Sequence, residues 1–407
     1  MKKCFSLCAA ALAVLTALLF PLSSYAEETE ETEPVYSDCI DWKRFEGKGV
    51  SINVYNWGEY IAAGEDYDVN SEFEKLTGIK VNYTTFASNE EMYAKLKSGG
   101  SLYDVIIPSD YMISRMISEG MLEKLDFSNI PNISLIREDL RNPDYDPTGS
   151  YSVPYTWGYV GIIYNTTLVD PEDDINTWDI LWDEKYAGEI LMFSNSRDAF
   201  GISLWRLGYS ANTGDERELE EAADALSEQK NIVQAYVMDE IFDKMGGGEA
   251  ALAPYYVGDA VTMMADNPDL DFALPRETTN IFTDAACIPL GAKNKEAAEL
   301  YINFLCETEV ALRNCEFIGY STPQTEAYDL LDEETKNGIS YPSEEQTDNM
   351  ETFTALPSAT TALVDSLWTS IMSSSPISPW ITPVFLVVAI GLIIFINVRR
   401  YLKKKKQ

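Results

Sequence analysis

The chain contains no histidine among its 407 residues, and that absence removes whole classes of chemistry. A Ser-His-Asp or Cys-His nucleophile needs an imidazole as base, and most zinc sites need one as ligand. Cysteine is scarce, six in all. Cys4 and Cys8 fall inside the first apolar run, and Cys39, Cys287, Cys306 and Cys315 are too thinly spread for a disulfide scaffold, although spacing permits a Cys306–Cys315 pair across a helix turn. No Gly-x-x-x-x-Gly-Lys-[Ser/Thr] segment occurs, so nucleotide hydrolysis by that route is excluded. Positive charge is short as well: 30 Lys and Arg stand against 66 Asp and Glu, a net charge of −36. The cations are also segregated, with Lys2 and Lys3 at one end and Arg399, Arg400 and Lys403 to Lys406 at the other. The acidic field between them repels nucleic acid and anionic lipid and concentrates small cations. The same acidity would serve a protein that only needs to stay soluble.

Both ends read as membrane signals. Residues 1–26 have the form of a secretory signal peptide: Met-Lys-Lys, an apolar stretch from about Phe5 to Phe20, and a small-residue site ending Ser24-Tyr25-Ala26. Trp380 to Val398 is almost wholly apolar, and at 1.5 Å per residue a helix of that length crosses about 30 Å of hydrocarbon. Trp380 suits the outer interface and the basic tail 399–407 the cytoplasmic side. This arrangement places the folded part outside the cytoplasm as the anchored portion of a single-pass protein.

Between these ends, residues 27–49 are acidic and poor in aliphatic side chains, as a disordered spacer would be. From Val50 the pattern changes. Ser51–Tyr55, Ile79–Thr84 and Tyr103–Ile107 read as strands, each followed by helical periodicity: Val69–Leu76 stopped by Gly78, a helix opened by the capping-box pattern Ser88-Asn-Glu-Glu91, and Tyr111–Ser118 with Met112, Ile113, Met116 and Ile117 on one face. Such succession predicts a parallel, helix-covered sheet. A second α/β region follows from about Val160, with strands at Glu189–Phe193, Ala250–Pro254, Asp271–Leu274 and Ala285–Pro289 and helices at Arg217–Gln229 and Lys295–Leu305. A length of about 320 residues favours two lobes over one core. Ser373 to Pro376 leads into a tether at 374–379.

Aromatic–acid pairs recur where strands end. Trp57-Gly58-Glu59-Tyr60 follows the first strand, Ser109-Asp110-Tyr111 the third, and Asn195-Ser196-Arg197-Asp198 one in the second region; Tyr255-Tyr256 and Phe282-Thr283-Asp284 come later. Loops at strand ends are where open α/β sheets meet ligands. An ammonium group needs π faces around its methylenes and a carboxylate to neutralise it, and these segments supply both. Taken singly, each also fits a packing aromatic and a helix-capping acid.

Seven segments from Val50 to about Ser373, in order, carry a family pattern: Val54-Tyr-Asn-Trp-Gly-Glu-Tyr60, Ser88 to Lys97, Tyr103-Asp-Val-Ile-Ile-Pro-Ser109, Tyr151 to Gly158, Ala292-Lys-Asn-Lys295, Ile302-Asn-Phe-Leu305 and Ile318-Gly-Tyr-Ser-Thr-Pro323. On these the chain resembles the substrate-binding proteins of spermidine/putrescine ABC transporters. The resemblance implies a two-lobed periplasmic binding protein-like α/β fold (type II) that closes over a polyamine, with crossings near Trp157–Asn165, Leu274–Asp284 and Leu305–Arg313. It assigns lobe 1 to about 50–160 and 283–307 and lobe 2 to about 165–277 and 313–373. It implies an aromatic box of Trp57, Tyr60, Tyr256, Phe282 and Tyr320, charge-reading acids at Glu59, Asp198 and Asp284, and polar contacts at Ser109 and Tyr111. Asn195 stands where spermidine binders usually carry Asp, which weakens the case for spermidine over putrescine. The implied role is a membrane-anchored monomer that hands putrescine or spermidine to an ABC permease and ATPase, with no catalysis, cofactor, metal or nucleic acid. The alternatives are a receptor for another cationic metabolite and a surface sensor or enzyme reusing the fold.

Overall fold

The computed structural model describes residues 36–99 and 103–374. The expected signal peptide 1–26, the span 380–398 and the basic tail lie outside them. Among the described residues no helix is long and apolar enough to cross a membrane.

Order begins earlier than Val50. The segment from Ser37 to Glu46 is a run of turns laid against a later helix: Ser37 donates from N and Oγ to Glu307 Oε2 at 3.2 and 3.1 Å. The Trp42 indole is buried edge-on to Phe304, centroids 6.0 Å apart. One large side chain with a ready-made pocket is enough to dock a short polar segment, so the expected disordered spacer is ordered from at least residue 37.

The first unit is β1 (Ser51–Trp57), α1 (Val69–Thr77), β2 (Lys80–Phe86), α2 (Asn89–Lys97), β3 (Val105–Ile106) and α3 (Asp110–Ser118). The ends are set by residues the sequence offers. Gly78 caps α1 at φ 72, in the left-handed region. Ser88 caps α2 by accepting from Glu91 N, while Glu91 Oε2 accepts from Ala87 N at 3.1 Å rather than completing a capping box. The β1–β2 and β1–β3 pairings are parallel. Met112, Ile113 and Met116 of α3 are fully buried against Tyr55, Phe86 and Ile106.

The chain then runs through β4 (Ser152–Asn165), β5 (Ile190–Phe193), α4 (Ser196–Arg206), α5 (Glu216–Gln229), β6 (Val233–Val237), β7 (Leu252–Tyr256), α6 (Val257–Asp266), β8 (Leu270–Ala273) and β9 (Thr279–Cys287). It ends with α7 (Lys295–Leu305), α8 (Thr308–Ile318), β10 (Met350–Glu351) and α9 (Ser358–Ser373). The strands form one ten-stranded network ordered β2-β1-β3-β9-β4-β7-β5-β6. β4 and β9 join its halves. Residues 152–159 of β4 pair with β9, and from Val160 onward β4 pairs with β7 and β8 instead. A separate core packs beneath β5, β6 and β7, built around Trp178, Phe193, Phe200 and Tyr255.

The crossing expected at Leu305–Arg313 is not a strand. It is the short break between α7 and α8, and α8 stays with the first unit: Asn314 Oδ1 accepts from Ala62 N at 2.9 Å and its amide donates to Tyr155 Oη at 2.9 Å. Cys306 and Cys315 are both free and buried, each thiol donating to a carbonyl of its own helix.

Candidate functional site

The strand ends of both halves converge on one cleft, partly open to solvent. β1 delivers Trp57, and the turn after it delivers Tyr60. The loop after β3 delivers Ser109, and the α3 start delivers Asp110 and Tyr111. From the second half come Asp198 at the start of α4 and Tyr256 at the end of β7. Phe282 and Asp284 stand two apart on β9, so they share a face, and Tyr320 follows α8. Nine of the eleven residues singled out from the sequence therefore line one space. No Lys or Arg lines it.

The aromatic wall is continuous. Tyr60 meets Tyr320 edge-on at 4.7 Å, Tyr320 meets Phe282 at 6.3 Å, and Phe282 meets Tyr256 at 5.5 Å. Tyr320 can lie this deep because residue 258 is glycine; a β-carbon there would come within 2.1 Å of its ring. Tyrosine hydroxyls hold the acids. Tyr60 Oη donates to Asp284 Oδ2 at 2.7 Å and also bonds Thr156; Tyr256 Oη donates to Asp198 Oδ2 at 2.9 Å. Asn89 fixes Ser109 from both sides, its amide donating to Oγ and its Oδ1 accepting from the backbone, each at 3.1 Å. Tyr111 donates to the half-buried Glu90 at 2.9 Å.

Two expected residues stand elsewhere. Glu59 is exposed: at φ 47 it takes the left-handed conformation that turns the chain, so its side chain leaves the cleft while Tyr60 enters. Asn195 caps α4. Its Oδ1 accepts from Asp198 N at 2.9 Å and its amide donates to Met238 Sδ at 3.5 Å. The inference from Asn195 to ligand choice therefore loses its geometric basis.

Other residues in the cleft were not foreseen as contacts, chiefly Asp239, Asp259, Asn280 and Phe353. Asp259 lies three residues past Tyr256, in the first turn of the helix that follows a strand, so the strand-end logic could have found it. Asp239 follows β6, a short strand whose sequence Val-Gln-Ala-Tyr-Val carries little signal.

Burial dominates the electrostatics. Desolvation pushes the Asp110 carboxyl up to about 8, against donations from Tyr111 N at 2.6 Å and Thr283 N at 3.2 Å. Asp284 is pushed up to about 6 by burial, with Tyr60 and Ser109 pulling it down. Asp198 and Asp259 rise for the same first reason, and Asp239, Glu59 and Asp284 add like-charge repulsion at Asp259. Asp284 is 4% exposed and its Oδ1 has no partner. The described residues contain no group of three or more acids or thiols able to hold a metal ion. Five carboxylates, aromatic walls and no cation among the lining make a receptacle for an organic cation that brings its own positive charge.

Residues 69–342 match the family described as bacterial extracellular solute-binding protein. The chain is 38% identical over 303 residues to the spermidine/putrescine-binding periplasmic protein of Escherichia coli, covering 74% of this chain and 86% of that one. It is 30% identical over 342 residues to a putrescine-binding periplasmic protein of Pseudomonas aeruginosa, covering 79% and 92%. Among solved structures, a putative spermidine/putrescine ABC transporter protein from Listeria monocytogenes superposes with a TM-score of 0.76 at 35% identity, over 79% of this chain and 99% of that one.

Proposed function

The chain belongs to the bacterial extracellular solute-binding proteins, and we propose that its cleft captures a polyamine, putrescine or spermidine, for delivery to an ABC permease and ATPase. The observation that carries this is the pairing of acids with rings around a space lined by no Lys or Arg, with the buried Asp284 Oδ1 in its lining left unpartnered. The alkyl chain lies against Tyr60, Tyr256, Phe282 and Tyr320, and its ammonium groups meet Asp284, Asp198 and Asp259. Trp57, Ser109 and Tyr111 complete the walls.

The proposal includes the anchored arrangement. A cleaved leader at 1–26 and a span at 380–398 followed by Arg399, Arg400 and Lys403 to Lys406 would hold the domain at the outer face of the membrane. Fractionation of cells should then recover the chain with membranes and expose it to external protease.

Calorimetry on the full-length protein in detergent tests the binding. Micromolar or tighter affinity for putrescine or spermidine is expected, about −8 kcal/mol. Heat from a guanidinium or other cationic compound, with none from either polyamine, would favour the alternative receptor.

A further inference from the structure

Asp239 differs from the other acids of the cleft in being unclaimed. Asp110 has both oxygens occupied by backbone N–H groups, Asp198 holds Tyr256, Asp284 holds Tyr60, and Asp259 is hydrogen-bonded by Tyr320. The charged groups around Asp239 are Glu59 outside the cleft, Glu240 beside it and Asp259 on α6, all acids. Its carboxylate comes from the second half of the molecule and lies on Gly58 of the first. A β-carbon at Gly58 would fall 2.0 Å from Asp239 Oδ2 and 2.9 Å from its Cγ. The halves thus touch at the rim through a carboxylate and a bare backbone carbon, beside the Trp57 ring, whose Nε1 is buried without a partner. Carboxylates gathered this way repel one another unless a cation enters among them. They do not converge tightly enough to hold a metal ion, which leaves an ammonium on a flexible chain.

We propose that Asp239 is a specificity-determining residue, supplying the carboxylate for a third ammonium group at the cleft rim, so that the site selects triamines over diamines. This rests on the reading of the cleft as a polyamine site. The buried acids Asp284, Asp198 and Asp259 serve two ammonium groups inside, and a triamine extends its third past Trp57 to Asp239. A diamine leaves that carboxylate facing only other acids.

The test is paired calorimetric titration of putrescine and spermidine against wild type, Asp239→Asn, Gly58→Ala and Asp284→Asn. Asp239→Asn is expected to weaken spermidine about tenfold or more and putrescine by about threefold at most, shifting the affinity ratio. Gly58→Ala should shift the ratio the same way by pushing the carboxylate aside, since Gly58 has no left-handed φ that alanine would strain. Asp284→Asn should weaken both amines. An unchanged ratio in Asp239→Asn, while Asp284→Asn loses both amines, overturns the inference and leaves the polyamine reading intact. Wild-type protein that binds neither amine overturns the polyamine reading, and the inference falls with it.

Discussion

Asp110 and Asp284 hold protons that free aspartates would lose. In the unfolded chain an aspartate titrates near 3.9; folded, burial pushes Asp110 up to about 8 and Asp284 up to about 6. Between those values the folded state carries the extra proton, so stability falls as pH rises. The contribution of each acid is whole below about pH 4 and is lost as pH passes its folded value. The ligand-free protein should therefore melt at a lower temperature at pH 8 than at pH 5, and Asp110→Asn should flatten that slope in thermal melts. A bound dication reverses the sign locally by favouring the carboxylates, so polyamine affinity should rise from pH 5 to 8, with proton release visible as buffer-dependent heat. Asp284→Asn should cost about 2 to 5 kcal/mol of binding by leaving a buried ammonium without its partner. Most of this set stood out in the sequence because aromatics and acids follow strand ends and the family resemblance picks them out, Tyr320 by the resemblance alone. Glu59 was misplaced because adjacent residues in a tight turn cannot both face inward, and no sequence pattern said which one would.

The helix α4 shows how an element can claim a residue that resembles a ligand. Asn195 precedes Ser196 and accepts from Asp198 N, so it secures the turn that aims Asp198 at Tyr256. Asn195→Ala should lower stability by about 1 kcal/mol, read by chemical denaturation. Asn195→Asp, also a good cap, should leave both stability and the putrescine-to-spermidine ratio near wild type, whereas a strong shift toward spermidine would return the position to the ligand. Elements with clear periodicity were found within a residue or two, as with α1, α5 and α7. The rest failed for physical reasons. β4 is buried along nearly its whole length, so it lacks alternation, and its first part before Trp157 went unrecognised. The Ser- and Thr-rich α9 was not read as a helix, its stretch being assigned only to lobe 2; it packs on α4 and α5, with Lys230 Nζ donating to the carbonyls of Ile371, Met372 and Ser374 at 2.6 to 2.9 Å.

At the scale of the whole domain, closure and charge oppose each other until a cation arrives. The halves share β4 and β9 and meet across the cleft, where Asp239 of one lies against Gly58 of the other and Glu59 and Asp259 stand nearby. Bringing these carboxylates together without a counter-charge costs both desolvation and repulsion. On the proposed polyamine reading, each ammonium would remove part of that cost only where the two halves meet, which would give the ligand the differential affinity a conformational shift requires. Two consequences follow for solution scattering at moderate ionic strength. At pH 8 without ligand the protein should be more expanded than with saturating spermidine, and the radius of gyration should contract as the amine is titrated in. At pH 5, where Asp110 and Asp284 are protonated, their share of the negative charge in the cleft is gone, so the ligand-free protein should move part of the way toward the contracted value. A radius independent of both pH and spermidine would mean that the contact at Gly58 persists without a cation, and that the acids do not control closure.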